Sequence, residues 1–337
     1  MAGTSNKQST IAASAKRTLI VGCIAGLLAI VLSTPAFPNR VGQDKKQKQD
    51  QHPAQQADEP LKLHSDLVVV NLTVTDAGGR YARGLSAKDF TVFEDNAPQS
   101  INSFLAEEAS FAAAILIDMS GSMDYKFGLA RGGAASFVDH IRDNDQVAVF
   151  GFNNKVKLVQ DFSDLHDISE YVWDAKAEDN TRLYDCADEA IAALEKRPEK
   201  RRAILLISDG WDTASSKASF DSVIKRALSA GIVMYSIDLI DDNSRIGNAS
   251  WVMGLRRGQT EMKEFASQTG GRYIYSPQGD KLEEAFTNIV DELRNQYTLT
   301  YYPTNQKRDG RWRKLTIGLS RQGLATRARK GYWALKS

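Results

Sequence analysis

Cysteine is nearly absent from this 337-residue sequence: Cys23 and Cys186 are its only two, too few for a disulfide framework. Histidine is almost as scarce. The four residues His52, His64, His140 and His166 are scattered without metal-ligand spacing, which argues against a zinc hydrolase. Neither sign of charge prevails. With 43 Lys+Arg against 42 Asp+Glu the formal net charge is +1, so the chain has no global field for gripping nucleic acid or an acidic polymer. Long apolar stretches are also lacking, with one exception near the N-terminus. The chain is 42% hydrophobic and 25% charged, which excludes collagen-like, wholly disordered and multi-spanning classes. At about 150 residues per domain, the length accommodates roughly two folded domains and tails.

The exceptional run extends from Leu19 to Leu32. It follows Lys16-Arg17 and precedes the small residues Ser33-Thr34-Pro35-Ala36, the layout of a signal sequence. Counted from Thr18 to Phe37 it is just long enough to span a bilayer, so residues 1–38 read either as a cleaved signal or as a retained anchor. Both place the body outside the cytoplasm, periplasmic or secreted. Residues 39–60 are rich in Gln, Asp, Lys and Pro and have too little apolar surface to offset the entropy of ordering; a flexible linker is expected.

Three further regions follow. In 61–108, the alternation of Val68–Thr75, the turn at Asp76-Ala77-Gly78-Gly79 and the run Phe90–Asn96 predict short strands. In 109–296, apolar strands alternate with amphipathic helices, which predicts an α/β fold with a doubly wound, mostly parallel sheet and helices on both faces. The expected strands are Ala112–Ile117, Gln146–Phe152, Ala203–Ser208, Ile232–Leu239 and Arg272–Tyr275. The expected helices are Tyr125–Arg142, Asp167–Ala175, Leu183–Lys196, Phe220–Ala230, Glu261–Thr269 and Lys281–Asn295. In 297–337, strands Tyr297–Tyr302, Trp312–Ser320 and Ala325–Tyr332 are expected to join the 61–108 segment in a small accessory β domain.

The chemistry concentrates at strand ends. The first α/β strand runs into Asp118-Met119-Ser120-Gly121-Ser122, a later one into Asp209-Gly210, and Thr181 stands just before a helix. Ligands of open α/β sheets bind beyond the carboxyl ends of strands. Carboxylates and hydroxyls without thiol or imidazole are donors for a hard cation. Two carboxylates and three hydroxyls also leave a coordination position open.

Asp118-x-Ser120-x-Ser122, then Thr181, then Asp209, resembles the metal-ion-dependent adhesion site (MIDAS) of von Willebrand factor type A (VWA) domains. The resemblance covers about 111–295. Together with Gly84–Phe90 and Tyr301–Asn305, the whole chain is similar to a bacterial exported family with β segments flanking that domain. The resemblance implies that Ser120, Ser122 and Thr181 contact Mg²⁺ or Mn²⁺ directly or nearly so. It implies that Asp118 and Asp209 hold the cation largely through water, and that an Asp or Glu of a protein partner completes the shell. Asn180 stands where a glycine is frequent in the family.

The remaining candidates read as structural. Asp185 is expected to cap or buttress its helix, Asp124 and Asp212 to be solvated acids, and Cys186 a small buried hydrophobe. The loop Asp241–Gly258, with Trp251, Arg256 and Arg257, reads either as a rim contact for a partner or as an ordinary surface excursion. Residues 306–337 carry ten Lys or Arg against one acid, a solvated sheet face or a dock for an anionic surface. The functional expectation is a non-enzymatic, adhesion-type module. Its alternatives are a metal-assisted hydrolase, disfavoured by the lack of a His or Cys base and of a Gly-x-Ser-x-Gly elbow, and a structural component of an envelope assembly.

Overall fold

A computed structural model describes residues 67–106, 109–164, 180–240, 247–275 and 280–336. The expected signal or anchor, the linker and the expected helix Asp167–Ala175 lie outside the described residues.

The central sheet has six strands: β5 (Phe111–Asp118), β6 (Gln146–Phe152), β7 (Val156–Ser163), β8 (Arg201–Ser208), β9 (Val233–Asp238) and β10 (Tyr273–Tyr275), in the order β10-β9-β8-β5-β6-β7. All neighbours are parallel except β6 and β7. The β5 sequence explains its central place. Its eight residues are buried without a break because alternate side chains enter opposite cores. Phe111, Ala113, Ile115 and Ile117 pack with α1 (Phe127–Asp139) and α5 (Asp280–Asn295), whereas Ala112, Ala114 and Leu116 pack with α2 (Leu183–Glu195), α3 (Phe220–Ala230) and α4 (Ala249–Thr269). The doubly wound α/β expectation is therefore the observed architecture.

The two flanking segments interleave. One sheet has the order β13-β1-β11-β4, from β1 (Val68–Asp76), β4 (Ile101–Leu105), β11 (Tyr297–Tyr301) and β13 (Leu324–Ala328). The other has the order β14-β12-β2-β3, from β2 (Phe90–Glu94), β3 (Ala97–Gln99), β12 (Trp312–Leu319) and β14 (Gly331–Trp333). Each sheet thus takes strands from before and after the α/β body, and Val70, Leu72, Val92, Leu299 and Tyr301 fill the core they share. On β1 the polar residues are buried too, because that side faces the body: the Asn71 amide donates to the Lys200 carbonyl at 3.0 Å and Thr73 to Glu292 at 3.4 Å.

Several boundaries differ from the sequence expectation. β7 has no expected counterpart, because an edge strand half open to water lacks a continuous apolar pattern. The run from Phe90 stops at Glu94, where Asp95 and Asn96 adopt φ of 48° and 68°, the left-handed pair of a two-residue hairpin. The expected strand Ala325–Tyr332 is divided between β13 and β14. The expected loop Asp241–Gly258 is corrected more substantially: residues from Ala249 onward form the first half of α4, capped by the Asn248 side chain, which accepts from the Trp251 N–H at 2.9 Å. Gly254 and Gly258 mask the apolar period there, and they are small because the helix lies directly on the Gly210–Trp211 backbone and indole.

Candidate metal centre

The sheet order reverses between β5 and β8. The chain leaves β5 toward β6 on one side and returns to β8 on the other, which opens a crevice at the carboxyl ends of these two strands. Asp118 is the last residue of β5, and Asp209 immediately follows β8. Ser120 and Ser122 sit in the turn after β5, at the start of the short 3-10 segment Gly121–Lys126. Thr181 precedes α2 and supplies the third hydroxyl. Asp118, Ser120, Thr181 and Asp209 are buried and Ser122 is half-buried.

Hydrogen bonds join these segments. The Ser120 N–H donates to Asp118 Oδ1 at 2.9 Å, and the Ser120 and Ser122 hydroxyls lie 3.0 Å apart. Ser208 donates its hydroxyl to Asp118 Oδ2 at 2.5 Å and accepts from the Gly210 N–H at 2.9 Å, so it ties the two strand ends together. Thr181 is clamped from the other side: its N–H donates to Thr213 Oγ1 at 2.9 Å, and its carbonyl accepts from the N–H groups of Thr213 and Ala214. The loop after Asp209 therefore fixes the Thr181 turn. Ser208 escaped the sequence reading, although its place beside Asp209 on a strand paired with β5 was the available signal.

The neighbouring acids differ in role. Asp185 is buried and accepts from the N–H groups of Ser216, Lys217 and Ala218 and from Arg182. Burial alone would raise its pKa, but these four donors hold the carboxyl below the usual range, so it braces the Ser216–Ala218 loop rather than capping its own helix. Asp124 is exposed. Asp212 departs from the solvated reading: it is half-buried, accepts from the Tyr184 N–H and the Ser215 hydroxyl, and is pushed above its ordinary value chiefly by burial. Cys186 is fully buried and its thiol is held well above the ordinary value by that burial, as befits a small core hydrophobe.

Burial, followed by the charge of nearby Asp209, pushes Asp118 up to about 7 against the hydrogen bonds from Ser120 and Ser208. The folded value lies above that of an unfolded Asp, about 3.9. The folded chain therefore binds the extra proton between these values, and this group's stabilising effect is complete below about pH 4 and lost as pH rises through about 7. In the presence of a chelator, denaturant unfolding of the full chain should show stability falling across that window, with a flatter profile for Asp118→Asn. Equal slopes for the two proteins would contradict the assignment.

The donor chemistry fits a hard divalent cation. Two buried carboxylates close enough to repel, beside three hydroxyls and no sulfur or imidazole among the described site residues, are costly without a compensating positive charge. Both Asp118 oxygens already accept hydrogen bonds, from the Ser120 N–H and the Ser208 hydroxyl.

No curated protein matches the chain. Among solved structures it is similar to a von Willebrand factor type A protein from Catenulispora acidiphila, at 14% identity and TM-score 0.46, covering 81% of this chain and 74% of that one. It is also similar to the vWF domain of the type V pili tip protein Mfa5 from Porphyromonas gingivalis, at 11% identity and TM-score 0.44, covering 55% and 95%. A third is proximal thread matrix protein 1 from the mussel byssus with a zinc-occupied MIDAS motif, at 18% identity and TM-score 0.45, covering 59% and 49%. The family model described as von Willebrand factor type A domain matches residues 113–211, the stretch that runs from β5 through Ser120, Ser122 and Thr181 to Asp209. The chain therefore carries a von Willebrand factor type A domain.

Proposed function

We propose that the protein is an extracytoplasmic, non-enzymatic interaction module that holds Mg²⁺ or Mn²⁺ in the β5/β8 crevice and engages an Asp or Glu side chain of a protein partner. The observation that supports this reading best is the placement of two buried, mutually repelling carboxylates, Asp118 and Asp209, at the ends of neighbouring strands, with the Ser120 and Ser122 hydroxyls in the turn after the first. The match of residues 113–211 to the von Willebrand factor type A model supports an interaction role, and the apolar run Leu19–Leu32 supports export. In this reading Ser120, Ser122 and Thr181 ligate the cation through their hydroxyls, and Asp118 and Asp209 balance its charge largely through water. When bound, the cation supplies an electrophilic position for an external carboxylate oxygen. The Ser208 and Thr213 contacts keep the donors in place before a partner arrives, so little ordering is left for the binding step.

Thermal unfolding of the full chain tests the site. Mg²⁺ or Mn²⁺ at a hundred times its dissociation constant should stabilise the native state by about 2.7 kcal/mol through mass action. Asp118→Ala and Ser120→Ala should lose the response while remaining folded. A wild-type midpoint indifferent to millimolar cation, or variants that respond equally, would overturn the reading. A variant that lost fold and cation response together would point instead to a structural envelope component.

A further inference from the structure

A cleft of about 400 Å³ opens in the accessory β region, far along the chain from the carboxylate crevice. It lies among the first residues of β1, the C-terminal end of α3, the loop after β11 and the strand β14. Tyr302, Trp333 and Leu335 line it with apolar surface, and Tyr302 and Leu335 are 46% and 51% exposed. Lys307 also lines it, within the basic segment 306–337. The volume is in the range of sites that take small organic ligands.

Arg329 is the unusual member of this lining. It is only 6% exposed. Its terminal nitrogens donate to the carbonyls of Leu228 and Val69, and its Nε has no partner among the described residues. The guanidinium lies 5.4 Å over the Tyr332 ring, and burial lowers its pKa to about 10. The neighbouring Glu94 is engaged elsewhere: it accepts from the hydroxyls of Tyr301 and Tyr332 and faces Arg313 at 3.9 Å. A buried cation whose direct hydrogen bonds go to neutral carbonyls has no directly paired carboxylate, which favours an anion in the adjoining cleft. Lys307 and Arg308 line the cleft beside Arg329, so it favours an anion, and its aromatic and aliphatic walls favour one with an apolar body.

We infer that this cleft binds a small amphipathic carboxylate, an aliphatic or aromatic body of roughly ten heavy atoms, with Arg329 and Lys307 at its head group and Tyr302, Trp333 and Leu335 around its apolar part. The site shares no residue with the metal centre, so the two readings fail separately.

Calorimetric titration of the full chain with octanoate tests it, with octanol as an uncharged probe of the same length. Octanoate should bind saturably at one site, and octanol at least tenfold more weakly. Arg329→Met should weaken octanoate at least tenfold. Because Arg329 also braces two carbonyls, Ser229→Trp serves as a second variant: Ser229 is an exposed lining residue, and the indole should block the cleft without removing a core contact. Absence of saturable binding at millimolar octanoate, equal affinity for octanol, or unchanged binding by Ser229→Trp would overturn the inference.

Discussion

Gly258→Ala is expected to destabilise the protein by about 1–3 kcal/mol and to remove its response to divalent cations. A Cβ at this position would lie 2.4 Å from the Gly210 carbonyl carbon and 2.5 Å from its oxygen. These are backbone atoms, so no rotamer change relieves the clash. Gly210 cannot retreat easily either, because its φ of +83° is set by the tight turn after Asp209 and a side chain there would strike Met262. The helix or the loop must shift, and the loop carries Asp209 and clamps Thr181. Gly128→Ala is the control: it is also helical, a Cβ there meets nothing within 4 Å, and the change should be neutral or slightly stabilising. Thermal scans with and without Mn²⁺ would check both variants, and a full cation-induced shift in Gly258→Ala would contradict the contact argument.

Glu292→Leu should cost about 3–5 kcal/mol, the range for removing one member of a buried ionic network. Glu292 is fully buried on α5, where the Tyr235 hydroxyl donates to it at 2.7 Å and Arg272 Nε at 2.6 Å. Arg327 stands 2.5 Å from it and Thr73 donates at 3.4 Å. These partners come from β9, from the residue before β10, and from β13 and β1, so one carboxylate joins the last helix of the α/β body to the flanking β layer. The leucine fills much of the volume but leaves Tyr235 and the two guanidinium groups short of an acceptor. Equilibrium denaturation of the full chain gives the difference. A loss below 1 kcal/mol would show that the network relaxes around the gap. The cation response should survive, because Glu292 is not among the crevice residues.

The two variants also mark the limits of reading this sequence. The parallel strands were legible because burial on both faces writes a continuous apolar run, as in Ala112–Ile117. The candidate site residues stand out by their order, with Asp118 and Asp209 at strand ends, Ser120 and Ser122 in the turn after β5 and Thr181 before α2. Residues whose roles depend on distant neighbours were not. Glu292 looks like any acid of an amphipathic helix until β1, β9 and β13 are brought against it. The first half of α4 reads as a loop because Gly254 and Gly258, chosen by contact with Trp211 and Gly210, interrupt its apolar pattern. Ser208 passes for an ordinary strand terminus until its hydroxyl meets Asp118 across the pair. Asp212 looks like a solvated acid, yet the Tyr184 N–H and the Ser215 hydroxyl make it part of the loop that holds Thr181.

The most direct test of the account is anomalous diffraction from crystals of the full chain grown with Mn²⁺. The account predicts one strong anomalous peak in the β5/β8 crevice, within ligand distance of the Ser120, Ser122 and Thr181 hydroxyls, and its loss in crystals of Asp118→Ala that retain the fold. A peak confined to other surface carboxylates, or an undisturbed crevice peak in the variant, would contradict it.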